Sequence, residues 1–334
     1  MITVLNLISD TNIGGAGRVI LNYLHYTDLE HFRTLVAVPR GSALDSPLKK
    51  AGAEVYEVDA MADRSFDKGD VKVLTEFIRR VKPDLVHTHG CLSGRIAAKK
   101  CGLPVVYSRH SAFPVPAKLK YPPGRWVNRW LNRHYADKII AVSPATMYNL
   151  VESGVAPDQI TVVMNGVAPL TPTAPEEQAA LKKELGIGPD TVVFGILARI
   201  EEYKGHGLIA QAARQLKDRG MDFKVLVAGT GQWAGQLDEL VRRLDVDDVM
   251  PRLGFRSDVA ALLSILDVQL NASFGTEATS IALLEGMSLS KPSIVSDYGG
   301  NPWLVKDGDN GLVFPSGDSG ALAAAMERLM DHPE

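Results

Sequence analysis

The chain has 334 residues, 46% of them hydrophobic, with a formal net charge of −3, which is enough apolar material for a large core and a length that favours two domains over one. Its two cysteines, Cys91 and Cys101, have no spacing that makes a metal cage or a disulfide framework, no apolar run approaches the roughly 20 residues needed to span a bilayer, and the first strand has no basic leader before it, so a cytoplasmic protein is expected. Residues 1–170 carry 21 Lys/Arg against 15 Asp/Glu and residues 171–334 carry 15 against 24, a balance of +6 against −9 that fits either a first half meeting an anionic surface or an ordinary imbalance between soluble domains.

Short apolar runs alternate with helix-length amphipathic stretches, the signature of parallel sheets covered by helices. Strands are expected at Ile2 to Ile8, Thr34 to Val38, Glu54 to Val58, Asp84 to His87, Val105 to Ser108 and Lys138 to Val142. Residues 168–176 then hold three prolines in nine positions and break the pattern. Strands resume at Thr191 to Leu197, Phe223 to Ala228, Val268 to Asn271 and Pro292 to Ser296. The expectation is an α/β protein of two doubly wound domains facing each other across a cleft, 1–168 and 177–334, joined by a linker at 169–176. In such sheets ligands lie beyond the carboxyl ends of the strands.

The strand ends carry the candidate chemistry. Gly14-Gly15-Ala-Gly-Arg18 lets backbone amides approach an anion at a helix start, or is simply a tight turn. No acidic residue ends the second strand to hold an adenosine ribose, which weakens a dehydrogenase reading. His87-Thr-His89 lacks a third metal ligand of suitable spacing, so a histidine hydrogen-bonded at a strand end is expected there. His110, between Arg109 and Ser111, precedes a proline-broken loop from which a side chain can reach a substrate. Arg199-Ile-Glu-Glu-Tyr-Lys204-Gly205 places a guanidinium and an ammonium beside a helix start near His206, a diphosphate clamp that needs no metal. Gly229-Thr-Gly231 and the segment around Phe255 supply small residues and open amides. In Glu277-Ala-Thr279-Ser280-Ile281-Ala-Leu-Leu-Glu285, helical geometry would set the two carboxylates about 12 Å apart and about 80° out of phase. That is too far for the roughly 5 to 9.5 Å of a glycosidase pair, and suits two ends of one long ligand. Asp307-Gly-Asp309 reads as a turn.

Taken together, Gly14-Gly15 with Arg18, Asn165-Gly166-Val167, Arg199 with Lys204-Gly205, Gly229-Thr-Gly231, the E-x7-E pair Glu277 and Glu285, and Gly299-Gly300-Asn-Pro302 resemble the retaining glycosyltransferases of family 4, of GT-B fold, over nearly the whole chain. The resemblance implies that Arg199 and Lys204 bind the donor diphosphate, Glu285 the ribose, Glu277 the donor sugar near C3, and the amides of Thr279 to Ile281 the phosphates, with His110 beside the reacting centre. It implies a donor in the second domain, an acceptor on the side of His87, His89 and Asn165, retention through front-face attack, and no metal or other cofactor. Ala168 stands where such enzymes commonly have aspartate, and the chain stops at Glu334, so the final helix that returns to the first domain is expected to be absent.

The expected activity is transfer of a hexosyl or N-acetylhexosaminyl group from a nucleotide diphosphate sugar to an acceptor hydroxyl, with a nucleotide-sugar epimerase or a non-catalytic binding module as alternatives and no nucleic-acid partner. Lys118, Lys120, Arg125, Arg129 and Arg133 are interleaved with Tyr121, Trp126 and Trp130 in a stretch with no acidic residue. Either the tryptophans pack into the first domain, or the stretch is an interfacial anchor on an anionic membrane, at its cytoplasmic face, that brings the enzyme to a lipid-linked or envelope glycan.

Overall fold

The computed structural model describes residues 1–332, and the chain forms two compact units, Met1–Val167 and Ala168–Glu334. The first holds seven strands, β1 (Ile2–Ile8), β2 (Phe32–Pro39), β3 (Glu54–Val58), β4 (Leu85–His89), β5 (Val105–Arg109), β6 (Lys138–Ala141) and β7 (Ile160–Val162), in the order β3-β2-β1-β4-β5-β6-β7. Every pairing is parallel. Because side chains alternate across a strand, Leu5 and Leu7 of β1 join Leu74, Phe77 and Ile78 of the helix Lys68–Val81 on one face, while Ile8 joins Ile20, Val36, Val38, Leu44 and Leu48 on the other. Each such fully buried side chain contributes roughly 1.5–3 kcal/mol.

The second unit repeats the plan with β8 (Val192–Leu197), β9 (Phe223–Ala228), β10 (Arg252–Gly254), β11 (Val268–Asn271), β12 (Ser293–Ser296) and β13 (Gly311–Phe314), ordered β10-β9-β8-β11-β12-β13. Phe194, Ile196, Val225 and Val227 pack on one face with Ile209, Leu216 and Leu237. Val193, Leu226 and Ala228 pack on the other with Leu262, Leu263 and Leu266. The strand order reverses direction between β1 and β4 in the first unit and between β8 and β11 in the second, so each sheet has one switch point at which loops diverge and leave room for a ligand.

Three strands lie outside the sequence expectation: β7, β10 and β13. All three are sheet edges of three or four residues, and edges exposed on one side need no continuous apolar run, so periodicity does not reveal them. β4 runs on to His89, which pairs with Ile8 and Ser108. Pro175 and Glu176, assigned to the linker by their prolines, open the helix Pro175–Glu184, with Pro175 in its first turn, where its missing N–H costs nothing. Beyond the last helix, Ser319–Asp331, the expected absence of a return helix lies outside the described residues.

Candidate active site

At the switch point of the second unit, the loop after β8 meets the loop after β11. Lys204 Nζ donates to Glu277 Oε2 at 2.9 Å, and the same oxygen accepts from Asn271 Nδ2 (3.0 Å) and Ser273 Oγ (3.1 Å). Glu277 is buried, at 5% exposure. Its Oε1 takes none of these bonds. A buried carboxylate is tolerable only when paired and hydrogen-bonded, and this one has a cation and two neutral donors.

Glycine makes the approach possible. Gly205 sits at φ 78°, and a Cβ there would fall on the Ala272 carbonyl oxygen. Gly299, at φ 62°, faces the Glu277 carbonyl in the same way, and Gly300 N donates to Glu277 O at 2.9 Å. Phe274 N donates to Tyr203 O at 2.9 Å, tying the two loops together. Arg199 is exposed and its Nη2 donates to Tyr203 Oη at 3.4 Å.

Glu277 is not helical, which overturns the spacing drawn for it and Glu285. The helix is Ile281–Met287, because Ser280 takes the N-cap position and accepts from Leu283 N through its hydroxyl at 3.3 Å. Glu277 is held in the preceding loop by its three donors, and Glu285 lies half-buried in the helix. Thr279 and Ile281 are buried beside that cap. Gly229 N donates to Gly254 O at 2.7 Å, Gly231 packs on the Ile200 carbonyl, and Phe255 stands 71% exposed. Asp307 is part of a turn, accepting from Val313 N at 2.9 Å.

The first unit gathers three histidines beside its own switch point. Asn6, buried within β1, donates from Nδ2 to Leu35 O (3.5 Å), so its Oδ1 accepts from His89 Nε2 (3.2 Å). His89 Nδ1 then accepts from His110 Nε2 (2.8 Å), which leaves His110 Nδ1 a buried acceptor without a hydrogen-bond partner. His87 Nε2 lies 2.8 Å from Ser108 Oγ. Burial pushes His87 and His110 down to about 4, and burial together with the two neighbouring imidazoles holds His89 well below its usual range. All three are neutral near pH 7. Among the described residues no group of three or more His, Cys, Asp or Glu is arranged to hold a metal ion.

Gly14 precedes the helix Gly15–His25, and Gly15 has open space where a Cβ would stand. Gly17 is the tightly packed one, where a Cβ would meet the Leu44 side chain. Arg18 is half-buried in the first turns of that helix. Asn165 is half-buried, and Asn22 Nδ2 donates to the neighbouring Gly166 O at 3.1 Å.

The basic stretch forms the helix Gly124–Tyr135 after a short turn of helix, Ala117–Lys120. Its tryptophans are not core. Tyr121, Trp126 and Trp130 are 68%, 66% and 51% exposed, with Trp130 stacked on His134. Lys120 pairs with Glu152 and Arg133 with Asp158, whereas Lys118, Arg125 and Arg129 make no ion pair among the described residues. No described helix is long and apolar enough to cross a membrane.

Asn271, Ser273, Tyr203 and Asn6 hydrogen-bond to candidate site residues, and motif reasoning did not single them out. Asn6 carried a signal, since it is the lone strongly polar side chain in an apolar strand.

Residues 177–334 match the family model for glycosyl transferases group 1, and residues 13–169 that for glycosyltransferase family 4. EpsD of Bacillus subtilis (strain 168), a putative glycosyltransferase, is 28% identical over 276 residues, 78% of this chain and 71% of that protein. The UDP-Gal:alpha-D-GlcNAc-diphosphoundecaprenol alpha-1,3-galactosyltransferase of Escherichia coli is 28% identical over 277 residues, 77% of this chain and 69% of that protein. Among solved structures, HepE of Anabaena in complex with UDP and glucose has a TM-score of 0.85 at 22% identity, covering 100% of this chain and 91% of that one, a likeness of fold. With a family model on each unit and the same two-sheet architecture, the chain belongs to the glycosyltransferases of the family-4 type, built on the GT-B fold.

Proposed function

We propose that the chain transfers a hexosyl or N-acetylhexosaminyl group from a nucleotide diphosphate sugar to an acceptor hydroxyl, with retention at the anomeric carbon and without a metal ion. The observation that carries this reading is the Lys204–Glu277 pair with Asn271 and Ser273 at the β8–β11 switch point. The donor lies in the second unit. Arg199 and Lys204 take the charge of the departing diphosphate, helped by amides around Thr279 to Ile281, and Glu285 holds the ribose. Charge stabilisation by fixed donors of this kind typically contributes about 2.7–4 kcal/mol per donor.

Glu277 is an orienting group. Oε2 is fully engaged, so Oε1 is the oxygen available to a sugar hydroxyl, and a carboxylate that neutralises Lys204 is a poor nucleophile. Front-face attack keeps the anomeric configuration: the bond from the anomeric carbon to the phosphate oxygen breaks, the bond to the acceptor oxygen forms on the same face, and the hydroxyl proton passes to the leaving phosphate. His110, neutral and with Nδ1 as an acceptor, receives a hydrogen bond from a substrate hydroxyl without removing its proton.

A UDP-sugar is the favoured donor and GDP-mannose the next, a choice supported by the UDP complex of HepE. A lipid-linked or envelope-glycan acceptor is supported by the diphosphoundecaprenol substrate in the name of the Escherichia coli relative, and peripheral attachment to the cytoplasmic face of the membrane by the exposed Trp126 and Trp130 beside Arg125 and Arg129. The test is product analysis by mass spectrometry and proton NMR after incubation with a panel of UDP-, GDP-, ADP- and dTDP-sugars and acceptors. The expected product is a glycoside with the anomeric configuration of the donor. An inverted glycoside overturns retention, an epimer formed with no acceptor makes the chain an epimerase, and donor binding with no turnover makes it a binding module.

A further inference from the structure

A cavity of about 300 Å³ lies within the first unit, walled by the helix Leu92–Lys100, β5, the loop after it and the helices that follow, and its chemistry is unlike that of the histidine chain. Arg95 lines it at 7% exposure, with its guanidinium 4.2 Å above the Tyr107 ring. Its Nη1 donates to Asn132 Oδ1 at 2.9 Å, but its Nε, also buried, has no acceptor. Arg109 lines the same cavity, donating from Nε to Ser111 O (2.9 Å) and from Nη1 towards Tyr107 Oη (3.5 Å). Neither guanidinium forms an ion pair among the described residues, and no carboxylate lines the wall.

Two permanent cations facing one cavity without a counter-ion is an unfavourable arrangement, since burial and mutual repulsion both oppose the charge on Arg95. An aromatic face and one amide oxygen compensate only part of that cost. The wall is also fixed in place. Asn128 Nδ2 donates to Ser153 O (2.7 Å), Asn132 Nδ2 to Asn128 O (2.8 Å), and Asn149 Nδ2 to Phe113 O (2.6 Å), which ties down the loop after β5. A rigid socket with an unmet N–H donor and excess positive charge lacks one thing, a negatively charged acceptor. Guanidinium forks match phosphate and carboxylate geometry.

We infer that this cavity is an oxyanion site, where Arg95 and Arg109 together hold a phosphate or carboxylate group of a small molecule. It uses no residue assigned to the donor loops of the second unit.

The probes are inorganic phosphate and succinate, titrated into the full chain at constant ionic strength and read by calorimetry and thermal shift. Wild-type protein should bind at least one of them saturably and with a rise in Tm, and both R95Q and R109Q should weaken binding at least tenfold, whereas R79Q, an exposed control on the helix Lys68–Val81, should leave it unchanged. R109Q alters a half-buried residue, so it remains informative if R95Q folds poorly. Absence of binding by wild-type protein, affinity unchanged in R95Q and R109Q, or an equal loss of affinity in R79Q would overturn the site. On the transferase reading, a further arm names the source of the oxyanion. Phosphate that competes with the acceptor and not with the donor supports the site as one for an anionic group on the acceptor, and phosphate that competes with neither supports it as one for a free anion.

Discussion

The two units have the same doubly wound plan and place polar side chains at the same topological position, yet they stabilise them by opposite means. At the β8–β11 switch a buried carboxylate is matched by an ammonium and two neutral donors. Beside the β1–β4 switch three imidazoles are kept neutral by burial, His89 hydrogen-bonded to His110 and Asn6, and His87 to Ser108. Topology therefore fixes where a ligand binds without fixing the electrostatics of the place. A charged pair suits a step in which negative charge moves onto a leaving group, and a neutral chain suits the recognition of hydroxyls, whose hydrogen bonds must be directional but need not be strong.

The sharpest way to break this contrast is Lys204→Ala. Turnover should fall by two or more orders of magnitude, about 2.7–4 kcal/mol of barrier, and stability should fall by up to about 3 kcal/mol because Glu277 is left buried without its cation. Lys204→Ala/Glu277→Gln should recover much of the stability, measured by denaturant unfolding, while turnover stays low. Near-normal turnover in Lys204→Ala would sink the ionic account of the second unit.

pH separates the units next. The folded values of His87 and His110 lie near 4, below the 6.5 of the unfolded chain, so the unfolded state binds the extra protons. Their stabilisation is complete above pH 6.5 and is lost as pH falls from there through about 4, by roughly 3 kcal/mol per histidine. The second unit has one such histidine, His206, also pushed down to about 4 by burial and then by Lys204. Hydrogen exchange followed by mass spectrometry should therefore show protection of β1, β4 and β5 falling further than that of β8 and β11 between pH 7 and 4. Equal losses would mean that the first unit's histidines are protonated when folded.

A smaller effect is expected at the basic helix of the first unit. Each cation near an anionic leaflet contributes about 1 kcal/mol, and Lys120 and Arg133 are already paired. Arg125→Glu/Arg129→Glu should weaken co-sedimentation with anionic liposomes at least tenfold, and binding should fall with salt. Equal sedimentation with neutral and anionic vesicles, or none with either, would favour a soluble acceptor. The smallest effect should come from chelation: if Arg199 and Lys204 form the proposed clamp, EDTA should leave turnover unchanged, and a loss restored by Mg²⁺ or Mn²⁺ would show that they do not suffice.

The interior strands of both sheets were legible because each is a short apolar run bounded by small or polar residues, and the chemistry-bearing loops were legible because they follow those runs. The edge strands β7, β10 and β13 were not, since a strand of three or four residues is too short to have a distinctive period. The pairing of Lys204 with Glu277 was equally hidden. The residues lie 73 positions apart and meet only because β8 and β11 are neighbours. The helical spacing between Glu277 and Glu285 applied only to a segment helical from Glu277 onward, and the helix starts at Ile281. Ser280 is a residue type favoured at N-caps, and a cap there excludes Glu277 from the helix. Exposure of Trp126 and Trp130 was beyond reach, because a four-residue aromatic spacing fits a core stripe as well as a surface one.

Gly205 and Gly299 determine how the donor loops can vary. At each, an added side chain would strike a carbonyl oxygen of the main chain, at Ala272 or at Glu277, and would also force an unfavourable positive φ. A clash with a neighbouring side chain can be relieved by a change of rotamer, whereas one with a carbonyl can be relieved only by moving a loop. The floor beneath Lys204 and Glu277 is thus intolerant of mutation, while Arg199, Phe255 and Phe274 stand exposed and can be exchanged without disturbing it. A substitution library aimed at a new nucleotide or sugar should yield folded variants at those three rim positions and lose them at the two glycines.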